Sequence, residues 1–308
     1  MTLNERAWKI ADILEADAAR LRVAVSHVGG QRVIDCGASV DGGIQAGILL
    51  ARACLADCAE VTIVPGENGP LIQVVTDDPV RACLASQYAG WQVKAEKYFA
   101  MGSGPMRAVS GREEIFQHIA GKEESACAVG VLETRKAPTE EAVVNIVAKL
   151  PSCVEKLTLL YAPASCIAGT LQVVARSVET ALHKLHELKF DLKCVLSGYG
   201  TAPLPPVAKD ELAAIGRTND AILYGGRVTL WVDTDDEKIA AIGPQVPSNS
   251  SKDHGASFAE IYARYGDFYK IDPMLFSPAE VTFINRKTGR TFAYGNCEPA
   301  LLRKSFLG

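Results

Sequence analysis

The chain has 308 residues, 48% hydrophobic and 22% charged, which is the balance of a globular enzyme long enough for two packed domains. A net charge of −4 with scattered Lys and Arg argues against a nucleic-acid-binding surface, which needs a basic patch. No apolar stretch approaches the roughly 20 residues that span a bilayer, so no membrane partner is expected.

Strands and helices alternate along the chain. Helical periodicity over 5–25 is followed by a β run at 32–36, a glycine-rich turn and a helix at 44–56. Further strands are predicted at 61–64, 71–75, 126–132, 157–161, 192–196, 227–232 and 280–285, and further helices at 79–87, 139–149, 171–188, 209–215 and 258–265. This alternation predicts an α/β (α+β) fold.

No composition shift or low-complexity linker marks a domain boundary. The chain is therefore expected to form two intertwined α/β subdomains, approximately 1–150 and 151–308, within one functional unit. The proline-rich segment 201–206 is the best candidate for a hinge or an extended crossing, because proline excludes helix there.

The nine cysteines are odd in number and dispersed, which is typical of reduced thiols in a chain of this size. The first residues, Met1 to Arg6, run into an amphipathic pattern, whereas a signal peptide has a charged leader and an apolar block. Both features predict a cytoplasmic protein.

Motifs for metal, phosphate and serine chemistry fit poorly. Gly37–Gly47 follows a strand and opens a helix, but its spacing is neither the dinucleotide fingerprint nor the P-loop, so a tight turn is favoured over anion contact. Cys54 and Cys58 have no histidine nearby, and the five histidines lack metal-binding motifs, so no metal is predicted. Gly102-Ser103-Gly104-Pro105 is not a nucleophile elbow; it is either a proline-bearing turn or a loop whose N–H groups meet a ligand.

The predicted helix around 168–188 has an apolar face and an opposite polar stripe. The stripe consists of Gln172, Arg176, Glu179 and His183. Arg176 and Glu179 are spaced i, i+3, so their side chains can touch. The spacing alone favours a solvated face with a surface ion pair, which contributes at most about 1 kcal/mol.

Six segments occur in order between about residues 31 and 295 and together resemble the methenyltetrahydromethanopterin cyclohydrolases. They are Asp35-Cys36-Gly37 with Gly42-Gly43 and Ala46-Gly47; 89–94; 97–105; 218–224; Pro247-Ser248 through Lys252-Asp253; and Asp267-Phe268-Tyr269-Lys270-Ile271-Asp272-Pro273 through Phe276-Ser277-Pro278-Ala279. The resemblance covers nearly the whole chain.

The resemblance implies two α/β domains side by side with a cleft between them, assembled as a homotrimer, with no metal and no redox cofactor. The implied reaction is reversible hydrolysis of 5,10-methenyl-tetrahydromethanopterin, or its dephospho form, to the 5-formyl product. It belongs to one-carbon metabolism, in methanogenesis or formaldehyde oxidation. The sequence leaves open which carrier is used and in which direction the flux runs.

The resemblance also assigns residues. Arg176-Ser177-Val178-Glu179 matches the family's catalytic pair, with Glu179 as general base activating water and Arg176 orienting it. Lys94 resembles the lysine of the substrate cleft; Gly102, Ser103, Gly104, Pro105, Asn219 and Asp220 are expected to line that cleft. Met106 and Arg217 depart from the family pattern.

Two other functions remain open on the sequence. One is a non-catalytic pterin-binding protein, and the other is a different one-carbon pterin transferase such as a formyltransferase. No second-substrate site is visible for a transferase, and the presence of both Arg176 and Glu179 counts against a binding protein that has lost its chemistry.

Overall fold

A computed structural model of the chain describes residues 1–266 and 270–307. The beginning of one family segment, Asp267-Phe268-Tyr269, lies outside the described residues. Within them, no helix is long and apolar enough to cross a membrane.

The chain forms two compact units. Met1–Ala59 and Val80–Val173 make the first unit, and Glu60–Pro79 and Val174–Gly308 make the second. The chain thus passes between units three times, whereas the sequence analysis expected one boundary near residue 150. The cause is the hairpin beginning at Glu60, whose strands pair inside the second unit's sheet.

Twelve strands are formed by the described residues. They are β1 (Ala24–Val28), β2 (Gln31–Asp35), β3 (Glu60–Gly66), β4 (Gly69–Thr76), β5 (Trp91–Ala95), β6 (Tyr98–Ser103), β7 (Cys127–Glu133), β8 (Lys156–Ala162), β9 (Val195–Pro203), β10 (Arg227–Val232), β11 (Glu280–Asn285) and β12 (Thr291–Gly295).

The α-helices of the described residues number eleven. They are α1 (Leu3–Ala16), α2 (Ala18–Leu21), α3 (Ile44–Cys54), α4 (Met106–Ser110), α5 (Glu140–Val147), α6 (Ile167–Val174), α7 (Ser177–Glu187), α8 (Glu211–Gly225), α9 (Asp236–Ile242), α10 (Phe258–Tyr265) and α11 (Pro299–Leu307). A π-helical segment, Val80–Gln87, precedes β5. The mixed α/β class predicted from the sequence is confirmed.

The sheet of the first unit has the order β1-β2-β8-β7-β6-β5, and its middle strands β2, β8 and β7 are parallel. Apolar side chains of α1, α3 and α6 pack on one face with Val129, Val131 and Leu160. Side chains of α4 and α5 pack on the other face with Ala128, Leu132 and Leu159. Burial on both faces explains why β7 and β8 appear in the sequence as continuous apolar runs.

The sheet of the second unit has the order β12-β11-β10-β9-β4-β3, in which only β10 and β11 are parallel. Helix α7 packs on β9 and β10. The approach is close because β9 carries glycine where the helix begins: a Cβ at Gly198 would lie 2.8 Å from Val178 Cγ1, and one at Gly200 2.5 Å from Ser177 Oγ. These glycines place the first turn of α7 directly on the strand.

The structure corrects three predicted helices, of which the one predicted over 209–215 continues to Gly225. The helix predicted over 5–25 ends at Ala16, and after the short α2 the chain turns at Arg22 (φ 56°) into β1. The helix predicted over 171–188 is interrupted at Ala175 and Arg176, between α6 and α7. Helical periodicity does not reveal such a break, because both halves keep apolar residues in phase.

The structure also adds strands that the sequence analysis missed, namely β1, β5, β6 and β12. Strands β1, β5 and β12 lie at sheet edges, where side chains are partly exposed and the apolar pattern is weak. The proline-rich segment is extended: β9 runs to Pro203, and the Leu204 N–H donates to the Pro70 carbonyl.

Candidate functional site

The glycine-rich turn after β2 is organised around a carboxylate. Asp35 accepts hydrogen bonds from the Gly37, Ala38 and Ser39 amides at 2.6–2.9 Å and from Ser39 Oγ at 2.5 Å. Burial opposes ionisation, but these hydrogen bonds hold the pKa of Asp35 below its ordinary value. The amides of this turn bind the chain's own carboxylate, which supports the tight-turn interpretation over anion contact.

Lys94 lies on β5 with an exposed side chain. It is the cross-strand partner of Phe99, and its Nζ lies 6.0 Å from the centroid of the Phe99 ring. Its carbonyl accepts from Asn145 Nδ2 at 3.2 Å, which ties the strand to α5. Lys94 is therefore available for contact with a ligand of the first unit.

Gly102, Ser103, Gly104 and Pro105 are buried at the end of β6. Ser103 Oγ donates to the Val131 carbonyl at 3.3 Å and lies 3.2 Å from Cys54 Sγ. The Gly104 N–H donates to the Ser86 carbonyl, and the Pro105 carbonyl accepts from Asn4 Nδ2. These contacts hold the loop inside the first unit, as in a structural proline-bearing turn.

Met106, one of the departures from the family pattern, is fully buried beside this loop. A Cβ at Gly102 would lie 3.1 Å from Met106 Cε, and one at Gly130 would overlap Met106 Sδ. Two glycines thus make room for the larger side chain, so the departure affects the core of the first unit.

Arg176 and Glu179 are buried, with 8% and 5% of their surface exposed. The interpretation of this stretch as a solvated face is therefore wrong. The interruption before α7 makes Arg176 the N-cap residue and puts Glu179 in the first helical turn. Gln172 belongs to α6 in the first unit, where its Nε2 donates to Cys54 Sγ at 3.3 Å, so the predicted polar stripe is not continuous.

The electrostatics at the start of α7 suit a functional carboxylate. Arg176 Nη1 lies 3.8 Å from Glu179 Oε2, longer than the 2.7–2.9 Å typical of a charge-assisted hydrogen bond. The two charges are therefore in electrostatic contact. The first turn of a helix also favours a negative charge, because its N–H groups point towards that end.

Asn219 and Asp220 lie on α8 and take part in the packing of the second unit. Asn219 Nδ2 donates to the Ile215 carbonyl one turn earlier, at 2.8 Å. Asp220, 1% exposed, accepts from the Phe258 amide at 2.8 Å and from Ser305 Oγ at 2.6 Å, and so joins α8 to α10 and α11. Burial raises the pKa of Asp220 to about 6.

Asp220→Asn is expected to stabilise the protein at neutral pH. Because the folded-state pKa exceeds the unfolded one, the native state binds more protons between about pH 4 and pH 6, and the contribution of Asp220 to the unfolding free energy is lost as pH rises through that window. Asn keeps the acceptor for the Phe258 amide and carries no buried charge. In urea unfolding from pH 4 to 8, the unfolding free energy of the variant should increase relative to that of wild type as pH rises, by about 1–3 kcal/mol. An equal pH dependence in both proteins would contradict the assignment.

No group of three or more His, Cys, Asp or Glu side chains that could hold a metal ion occurs among the residues 1–266 and 270–307. Cys54 is buried, and Cys58 Sγ donates to the Ala56 carbonyl at 3.4 Å. His183 Nε2 lies 3.9 Å from Glu187 Oε1 on the same helix. The Cys58 and His183 side chains therefore make contacts within their own units.

Residues 2–306 match the family model described as Cyclohydrolase (MCH). The chain belongs to this cyclohydrolase family. A methenyltetrahydromethanopterin cyclohydrolase of Rhodopirellula baltica is 48% identical, with 99% of this chain and 94% of the relative aligned. Proteins of the same name from Methylobacterium organophilum (44%; 99% and 97%) and Methanococcoides burtonii (39%; 90% and 89%) are also similar. The resemblance inferred from the sequence motifs is confirmed.

This family member contains an ion pair with a fully buried arginine that the sequence analysis missed. Arg107, fully buried, donates to both carboxylate oxygens of Glu113 at 2.8 and 2.7 Å and to the Leu84 and Ser86 carbonyls. It thereby satisfies carbonyls at the end of the π-helical segment, next to the Gly102–Pro105 loop. A charged residue inside the apolar run 106–109 was the available signal.

A second missed residue of the cyclohydrolase is Lys184 on α7, 1% exposed. Its Nζ donates to Ser250 Oγ at 3.2 Å and to the Met274 carbonyl. Burial lowers the pKa of Lys184 to about 8. Within the second unit, Lys184 thus connects α7, which carries the proposed catalytic pair, to the two family segments that contain Ser250 and Met274.

Proposed function

We propose that the chain hydrolyses 5,10-methenyl-tetrahydromethanopterin, or its dephospho form, reversibly to the 5-formyl product. The observation that carries the proposal is the buried Arg176–Glu179 pair at the start of α7 in a chain that belongs to the cyclohydrolase family. Relatives that align over nearly the whole chain are named for this activity.

The chemistry suits a carboxylate beside the substrate. The methenyl bridge is a cation delocalised over N–C–N, so its carbon is already electrophilic. Water adds to that carbon as Glu179 removes a proton. Collapse of the tetrahedral adduct then forms the formyl C=O, breaks one C–N bond and releases the hydroxyl proton to solvent. Glu179 then returns the proton to the departing nitrogen. The proposed steps require no cofactor, and the tetrahydromethanopterin carrier is the substrate.

Arg176 is proposed to orient the base. The Arg176 guanidinium lies 3.8 Å from Glu179 Oε2, where it can hold the carboxylate in position beside the substrate. It can also stabilise negative charge that develops on the attacking oxygen. Because the Arg176 side chain is 9% exposed, its charge is screened less by water than that of a surface arginine.

Lys94 is proposed as a binding residue, since its exposed side chain can meet an anionic or carbonyl group of the carrier. Six further residues are proposed to shape the site by fixing the local backbone, because the contacts described for them are packing contacts within their own units. They are Gly102, Ser103, Gly104, Pro105, Asn219 and Asp220.

Lys94→Ala is expected to raise KM by about tenfold with little change in kcat, because it removes a contact made equally in the ground state and the transition state. Steady-state kinetics with the methenyl carrier test this, with Lys9→Ala on α1 as a control for loss of a surface charge. A fall in kcat at unchanged KM would instead give Lys94 a role in the chemical step.

We further propose a cytoplasmic homotrimer. The nine cysteines are not bridged by disulfides, which suits a reducing compartment. The trimer is proposed from the family resemblance. Light scattering on the purified protein tests the assembly, and a monomer or a dimer would contradict it.

The deciding experiment is the decay of the methenyl carrier's near-ultraviolet absorbance on addition of the purified protein. Methenyl-tetrahydrofolate runs in parallel. Rapid loss with the methanopterin carrier alone supports the proposed reaction and its specificity. No loss with either carrier rejects the enzymatic proposal, and carrier binding without turnover would identify a pterin-binding protein.

A further inference from the structure

The parallel part of the first unit's sheet contains a topological switch point between β7 and β8. After β8 the chain enters α6, which packs on the same face as α1 and α3; after β7 it enters α5, on the opposite face. Connections that diverge after adjacent parallel strands leave a crevice at their carboxyl ends, and open α/β sheets bind ligands there.

The β5–β6 hairpin supplies one side of this crevice. Met101 pairs with Glu133, the last residue of β7, so the hairpin extends past the carboxyl end of that strand. Thr134 Oγ1 donates to the Phe99 carbonyl at 3.2 Å and fixes the hairpin there. By strand alternation, Phe99 and Lys94 project to the face on which α6 packs, and Phe99 is 52% exposed.

The turn from β8 into α6 supplies the other side. The Thr134 N–H donates to the Ala162 carbonyl at 3.2 Å, which joins the ends of β7 and β8. Arg135 Nη2 then donates to Ser165 Oγ at 2.5 Å, so the guanidinium lies at the turn into α6. Ile167, the first residue of α6, is 37% exposed and adds apolar surface.

The composition of this crevice indicates the chemistry of its ligand. Four cationic and two acidic residues occur in the three segments that form it, 94–99, 133–136 and 163–167. The exposed Phe99 ring lies in the first of these segments. A phenyl face provides stacking surface, and a guanidinium recognises carboxylate or phosphate oxygens. An aromatic ring with a linked anionic group satisfies both requirements.

We infer that this crevice binds a part of the carrier that does not react, with Phe99 against an aromatic ring and Arg135 and Lys94 on a linked anionic group. The inference rests on the proposed function, since it is the carrier that supplies the ligand. It assigns binding roles to two residues, Phe99 and Arg135, that the catalytic pair does not explain.

The test is equilibrium binding of the methenyl carrier to chains that carry Glu179→Gln, which prevents turnover during the measurement. Phe99→Ala and Arg135→Ala should each weaken Kd about tenfold. Arg135→Lys should recover part of the loss, because it restores charge without the guanidinium fork. Val144→Ala, 62% exposed on α5, and Arg20→Ala, 63% exposed, are matched controls and should leave Kd unchanged.

Kd within twofold of the parent for both Phe99→Ala and Arg135→Ala would overturn the inference, as would absence of any carrier binding. Failure of the proposed function has a different signature. A wild-type chain that binds the carrier but does not hydrate it would reject the hydrolase, while the Kd comparison would still decide the crevice.

Discussion

Glu179→Gln is expected to lower kcat by about 10²–10⁴-fold, because it removes the base that takes the proton from water. The substitution keeps the size of the side chain and its first-turn position on α7, so the fold and the affinity for the carrier should be largely retained. Stopped-flow or steady-state decay of the methenyl absorbance measures kcat, and equilibrium binding measures Kd.

Two further variants sharpen this test. Arg176→Ala should also lower kcat strongly; a change confined to KM would make Arg176 a binding residue only. His183→Ala, on the same helix with a partly exposed side chain, is the matched control and should keep kcat near wild type. A fully active Glu179→Gln would reject the assignment of the general base.

Arg107→Ala should destabilise the protein by about 3–5 kcal/mol, because it leaves the Glu113 carboxylate without its cation. It also leaves the Leu84 and Ser86 carbonyls without the guanidinium. The buried guanidinium further lies 5.0 Å from the Tyr88 ring, so packing is lost together with charge. Urea unfolding of the variant and wild type measures the difference.

Arg227→Ala is the matched control for Arg107→Ala. Arg227 also pairs with a glutamate, Glu280, at 2.9 Å, but its side chain is 61% exposed, so its loss should change the unfolding free energy by at most about 1 kcal/mol. Equal effects from the two substitutions would show that the Arg107 pair is no more important than a surface pair.

Much of the secondary structure could be predicted from local pattern. Strands β10 and β11 and helix α10 begin and end where the sequence analysis placed them. Alternating or continuous apolar residues define the two strands, and Ser257 with Glu260 forms a capping box that starts α10. Such signals lie within a few residues of the element they define, so they survive without knowledge of the rest of the chain.

The family was also recognisable from the sequence, because six matching segments in the same order are very unlikely to occur by chance. Composition and charge pattern likewise argued against a nucleic-acid surface and an apolar spanning stretch, because these properties are read directly from the residues and need no coordinates. Arg176 and Glu179 were singled out at this level by resemblance, while their spacing alone pointed to solvent.

Tertiary structure decided what the pattern could not. Only the fold shows that α6 ends before Arg176, that Arg176 and Glu179 are buried, and that Asp220 joins three helices. The return of 60–79 to the second sheet and the placement of Phe99 and Arg135 near the ends of β7 and β8 likewise depend on strands distant in sequence. A periodic pattern records which residues are apolar within one turn or strand, whereas the burial of a polar side chain depends on which distant elements pack against it.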